Sequence, residues 1–297
     1  MKLVVAGGSG LIGSALIKDA LSKKHEVIQL VRRKPKHQHE VQWNPDKFEV
    51  EIDSLNDATA IINLSGAGVG DKRWTKNYKK LILTSRVNAT KTLAEAITRL
   101  NNPPSVFVSS SAIGFYGDTA ENAVDENAEL GEGFLSDVVF NWEYAAQKVK
   151  QHKIRVVHPR TSLVMSKRGG VLKKVLPIFK LGLGGKLGNG KQFWSYISLE
   201  DEIRAIYHLI NDSRLTGGVN LSTPNPVTNK EFTKSLASVL NRPAFLSVPS
   251  LALKIALGEF SIEVLGSSRV LPSKLIASGF KFNHPDILST LNSALKY

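Results

Sequence analysis

Apolar and polar positions in the first half of the chain alternate between two periods. Lys2 to Ala6 is a short continuous apolar run, and the stretch after it places Leu11, Ile12, Ala15, Leu16, Ala20 and Leu21 at helical spacing. Further short β-type runs fall at Glu26 to Val31, Ala60 to Ser65, Ser105 to Ser111 and Ile154 to Pro159. Between them the spacing predicts a long helix over 77–99, with Leu81, Ile82, Val87, Leu93, Ala94 and Ile97 as its inner stripe, and a second over 134–150. Short apolar strands alternating with longer helices are the pattern of a parallel sheet covered on both faces.

Near residue 165 the texture changes. "KLGLGGKLGNGKQ" is glycine-rich and basic, which predicts a loop or cleft-lining segment. Gly217 to Thr223 has the pattern of one more sheet strand, and Thr228 to Tyr297 is mostly helical, broken by Pro243, Pro249, Pro272 and Pro285.

The first strand runs into "VAGGSGLIGS", with Gly7, Gly10 and Gly13 three apart. In a glycine-rich turn between strand and helix, one glycine allows the sharp turn and a second lets a pyrophosphate approach the backbone. A third lets helix and strand pack closely, while the helix N-terminus supplies free N–H groups. The fold class expected is therefore α/β, a Rossmann-type doubly wound parallel sheet with a smaller, mostly helical C-terminal substrate region. Residues 1–165 form the dinucleotide-binding domain, to which the strand near 217–223 returns, and residues 166–297 form the substrate-binding region over the carboxyl ends of the strands. An NAD site places an acid about 20 residues past the loop, at the end of the second strand. Here that strand ends in Arg32 and Arg33, whose guanidiniums suit a 2′-phosphate, so NADP(H) is the cofactor expected.

Composition narrows the chemistry. The chain has 297 residues and no cysteine, which excludes disulfides, thiolate metal sites and cysteine nucleophiles, and no metal site is assigned. The apolar start is too short for a secretory signal, and no apolar run is long enough to span a membrane, so a cytoplasmic protein without a membrane partner is expected. A formal charge of +13 raises the question of nucleic acid, but the cations are spread, without a basic tail or interleaved aromatics, so no nucleic-acid partner is expected.

Several longer motifs carry a resemblance. "GGSGLIG", "NLSGAGVGDKRWT", "SSSAIGFYG", "GEGFLSDVVFNWE", "LGLGGKLGNGKQ", "NRPAFLSVP" and "LPSKLIASGFKF" occur in order along nearly the whole chain. Together they resemble the extended, epimerase-like branch of the short-chain dehydrogenase/reductase superfamily, in an atypical subgroup labelled only as epimerase family proteins. The resemblance implies that Gly7, Gly10, Leu11, Ile12 and Gly13 hold the pyrophosphate and Arg32 and Arg33 the adenosine phosphate. It places Leu64, Ser65 and Gly66 at the adenine and ribose, and makes Arg86 a further cofactor contact.

The superfamily's reaction uses a Tyr whose proton is loosened by a Lys four residues later, one helical turn away. Alignment on Glu143 puts Leu135 and Val139 at those positions, and neither can exchange a proton. Tyr144 and Lys148 have the right spacing but lie too late in the helix. Ser111 matches the serine that positions the substrate oxygen, and Tyr116 is the substitute phenol expected to face the nicotinamide. Trp194 stands where sugar-nucleotide enzymes carry an arginine toward the substrate diphosphate, which implies a flatter or more apolar substrate at Trp194. Ser198 falls where the subgroup often has His. The function expected is an NADP(H)-binding epimerase- or oxidoreductase-like protein acting on a small-molecule substrate; the alternative is a non-catalytic NADP(H) sensor or regulator working through protein partners. The sequence leaves catalytic activity, substrate and oligomeric state open.

Overall fold

The computed structural model describes residues 1–296. The first half of the chain builds β1 (Lys2–Ala6), α1 (Leu11–Ser22), β2 (Glu26–Val31), β3 (Glu40–Asn44), β4 (Glu49–Val50), β5 (Ala60–Asn63) and α2 (Lys76–Ile97). It continues through β6 (Val106–Ser109), β7 (Ser111–Ala112), α3 (Phe134–Tyr144), α4 (Gln147–Lys150) and β8 (Arg155–Thr161). The second half adds β9 (Leu163–Met165), α5 (Gly170–Lys180), β10 (Gly185–Leu187), β11 (Phe193–Trp194), β12 (Tyr196–Ser198), α6 (Leu199–Asn211) and β13 (Gly217–Leu221). It ends with β14 (Val227–Thr228), α7 (Asn229–Leu240), β15 (Leu246–Val248), α8 (Ser250–Leu257), α9 (Ser261–Leu265), α10 (Ser273–Ala277) and α11 (Ile287–Lys296).

The central sheet runs in the order β13-β8-β6-β5-β1-β2-β3-β4, with β7 beside β8. Its pairs are parallel except β3 with β4. Every residue of β5 and β6 is buried, because both faces are covered and the apolar run need not alternate. Leu3, Val5, Val106 and Val108 face one core with Leu16 of α1, while Val4, Ile61 and Phe107 face another with Leu93 and Ile97 of α2. From β1 the chain moves outward to β2 and β3, then returns to β5 on the other side of β1. This reversal opens a crevice at the carboxyl ends of β1 and β5, where such folds bind ligands.

The Rossmann-type sheet expected from the sequence is present, and β13 returns to it beside β8. It brings α6 with it, since Ile203, Ile206 and Leu209 join the first core. A separate C-terminal core gathers Met165, Leu172, Leu176, Tyr196, Phe232 and Leu291. Four expectations need correcting. Of the expected inner stripe of α2, Ile82, Leu93, Ala94 and Ile97 are buried, joined by Tyr78, Ala89 and Ala96, whereas Leu81 is exposed and Val87 half-buried, because at about 100° per residue those two positions turn away from the buried face. The helix expected over 134–150 breaks between Tyr144 and Gln147. The glycine-rich stretch after Lys180 holds a short strand, β10, paired with β15. β3 was not expected, because "EVQWN" mixes polar residues into a short strand near the sheet edge.

Candidate cofactor site

The β1–α1 turn is shaped by glycines whose missing Cβ atoms have identifiable consequences. Gly7 has φ +82°, and a Cβ there would lie 2.6 Å from the Leu64 carbonyl carbon and oxygen. The turn therefore presses on the end of β5, bringing Leu64 and Ser65 beside the loop. A Cβ at Gly13 would overlap the Gly7 carbonyl oxygen. At Gly10 a Cβ would lie 3.3 Å from that same oxygen, a tight contact, and Gly10 lines a cavity with Ser9, Leu11 and Ser14. Gly10 precedes α1 at its N-cap and offers no side-chain cap, and the first turn holds no acid, so the N–H groups of Leu11, Ile12 and Gly13 stay available to an anion. The far wall is fixed by Asn63, which accepts from Ser65 N at 3.1 Å and donates to Thr90 at 3.0 Å. Gly66 lies exposed just beyond.

The two arginines after β2 have different surroundings. Arg32 is exposed, and its side chain has no hydrogen-bond partner among the described residues. Arg33 forms a two-pronged pair with Glu40, with Nη1 2.7 Å from Oε2. The Lys36 amide donates to the same carboxylate at 2.7 Å, and the Arg33 hydrogen bond holds Glu40 down to about 2. Arg33 thus occupies the acid beside the end of β2, and Arg32 is the guanidinium left free. A third arginine was missed. Arg168 and Gly169 face Ser9, Gly10, Leu11 and Ser14 across a cavity of about 280 Å³. Its signal in the sequence is a basic pair, Lys167 and Arg168, before two glycines.

Where the reacting groups were expected, the side chains are committed elsewhere. Leu135 and Val139 of α3 back onto the Ile113–Tyr116 turn, where a Cβ at Gly114 would lie 3.3 Å from Leu135 Cβ. Ser111 donates to Glu143 Oε1 at 2.6 Å, and Arg160 donates to both oxygens of that carboxylate, from Nε at 2.8 Å and Nη2 at 3.0 Å. Arg160 Nη1 also donates to Tyr116 Oη at 3.0 Å, and the Tyr116 hydroxyl donates to Asn220 Oδ1 at 2.7 Å. Burial pushes Glu143 up, but the Arg160 hydrogen bond, the charges of His158 and Arg160, and the Ser111 hydroxyl outweigh it and keep the carboxyl below its usual range. Burial also raises the Tyr116 phenol above its ordinary value, against the opposing pull of Arg160 and Asn220. The expectation that Tyr116 offers its phenol to the nicotinamide is therefore corrected. The phenol is buried and bonded on both sides by Arg160 and Asn220.

A family model described as NAD dependent epimerase/dehydratase matches residues 3–221, and a domain of unknown function matches residues 248–294. An epimerase family protein of Mycobacterium bovis is 40% identical over 296 residues, covering 99% of this chain and 96% of its own length. The chain belongs to the NAD-dependent epimerase/dehydratase family. A Staphylococcus saprophyticus epimerase family protein is 37% identical, with 96% of each chain covered. The crystal structure of a human epimerase family protein with NADPH superposes with TM-score 0.92 at 30% identity, covering all of both chains. A structure described as a nucleoside-diphosphate sugar epimerase from Corynebacterium glutamicum gives TM-score 0.83 at 31% identity, covering 99% of this chain and 58% of the other.

In this epimerase-family chain, Arg86 is half-buried on α2, with its guanidinium packed close against Gly66. Nη1 donates to the Ala67 and Ile82 carbonyls, each at 2.9 Å, and the guanidinium lies 5.0 Å from the Trp142 ring centre. Burial lowers it to about 10, and no carboxylate pairs with it among the described residues. It braces the loop after β5 from beneath. Trp194 also departs from expectation: it is buried in the C-terminal core, its ring 5.0 Å from that of Phe232. β11 alternates, so packing Trp194 inward turns its neighbour Phe193 toward Arg269, whose guanidinium lies 4.6 Å from that ring. Trp194 is a core residue, 7% exposed. Tyr144 is exposed and Lys148 sits 3.9 Å from Glu95, consistent with an accidental spacing. Ser198 caps α6, accepting from Asp201 N at 2.9 Å.

Proposed function

We propose that this protein binds NADP(H) across the β1/β5 crevice and acts as an NADP(H)-responsive regulator. Support for the phosphorylated cofactor comes from the free Arg32, from Arg33 holding Glu40 away from a ribose, and from the NADPH in the human relative. The uncapped α1 and the cavity lined by Gly10 suit the pyrophosphate, with Arg168 facing it from the C-terminal region. Bound NADP(H) would supply hydride transfer. The single observation that carries the regulatory reading is the closed network Ser111–Glu143–Arg160–Tyr116–Asn220, which occupies both proton-bearing candidates while Leu135 and Val139 replace the usual pair.

A second reading, an oxidoreductase or epimerase on a small molecule, is favoured by the Ser111–Glu143 hydrogen bond. An ionised Glu143 can take a proton from Ser111 as Ser111 takes one from a substrate hydroxyl. A panel of carbonyls and quinones separates the two. The regulatory reading expects NADPH to raise the unfolding temperature, to remain unoxidised across the panel, and to be required for recovery of a protein partner. Turnover that disappears in Ser111→Ala establishes the second reading instead.

A further inference from the structure

The second half of the chain carries an apolar surface that the cofactor site does not use. Leu181, Leu183, Phe245, Leu251 and Ile255 are large apolar side chains between 56% and 80% exposed. They lie on two stretches held together by the β10–β15 pairing, by Arg242 Nε donating to the Lys180 carbonyl, and by the approach of Gly182 to Pro243. α8, which follows β15 and carries Leu251 and Ile255, reads "SLALKIAL", and only Leu253 of it is buried. A helix apolar on nearly all sides is ordinarily covered.

The charges on the same stretches indicate the covering. No Asp or Glu occurs between Glu143 and Glu200, or between Glu231 and Glu259. Lys180, Arg242 and Lys254 are exposed there, and none forms an ion pair among the described residues. A second copy of the chain, itself +13, would bring cation against cation. An anionic bilayer surface satisfies both features, since lipid headgroups pair the lysines while leucine, isoleucine and phenylalanine enter the acyl boundary. Such contact needs no spanning helix, and no helix among the described residues is long and apolar enough to cross a membrane. We propose that the α8–β15–β10 face docks this protein onto an anionic phospholipid surface.

The test is flotation of the full chain with vesicles of phosphatidylcholine alone or mixed with phosphatidylglycerol. The protein should float with the anionic vesicles, less so as salt rises, and stay behind with the neutral ones. Leu251→Asp with Ile255→Asp should weaken that partition about tenfold or more. Lys180→Glu with Lys254→Glu should do the same by charge alone, and both pairs, being on the surface, should keep the parent unfolding temperature. The proposal is overturned by absence of flotation, by equal flotation with neutral vesicles, or by a concentration-dependent dimer that the Leu251/Ile255 pair abolishes.

Discussion

Arg33 and Glu40 show how one residue can be legible in kind and misread in role. Two arginines after β2 pointed to a phosphate, but the sequence did not show that one of them answers an acid seven residues away. That acid would suit an unphosphorylated ribose if it were free. Arg32→Ala should therefore weaken NADPH about 10- to 100-fold, the range of one charge-assisted hydrogen bond, and leave NADH binding unchanged in a fluorescence titration. Arg33→Ala should narrow the gap between the two cofactors by releasing Glu40, and adding Glu40→Gln should widen it again. Tyr116 belongs to the same scale. Tyr116→Phe strands the Asn220 carbonyl, so denaturant unfolding should show a loss of about 1–3 kcal/mol. Any measurable oxidation of NADPH should be unaffected, because the phenol is already committed to Arg160 and Asn220.

At the scale of elements, the glycine turn, α1 and the buried strands were legible because their signals are local and repeat. β3 and β10 were not, because each is short and depends on a partner strand far along the chain. Trp194 was misplaced for a related reason: the sequence shows a tryptophan in a cleft-like segment, while only the pairing of β11 with β14 shows which way it turns. Trp194→Ala should cost about 3–5 kcal/mol of stability and leave NADPH affinity unchanged. α6 carries a feature with no sequence signal, the fully buried Glu202. Its Oε1 accepts from Thr161 at 2.8 Å and its Oε2 has no partner. Burial raises this carboxyl from 4.5 to about 8, with Thr161 opposing. A raised folded value means the contribution is full below pH 4.5 and is lost as pH climbs toward about 8. Glu202→Gln removes that loss, at most about 1.4 kcal/mol per pH unit across the window. Thermal unfolding from acid to mild base should show the variant overtaking the parent as pH rises; parallel curves would exclude a titrating Glu202.

Across the whole molecule, the order of the strands joins these pieces. The reversal at β1 opens the crevice, β13 and α6 return to its sheet, and Arg168 reaches the glycine turn from the C-terminal half. A cofactor bound there, as proposed, would touch both half-chains, which is the coupling the regulatory reading needs. The family's fold is present here, and the proposed regulatory role rests on the sequence reading that Leu135 and Val139 stand where its proton donor and partner are expected. The most direct measurement is a paired titration of the purified full chain with NADPH and NADH at physiological salt. Saturable binding of NADPH, at least tenfold tighter than NADH, is the expected result on the strength of one phosphate contact. Binding of neither cofactor, or NADH bound as tightly as NADPH, would contradict it.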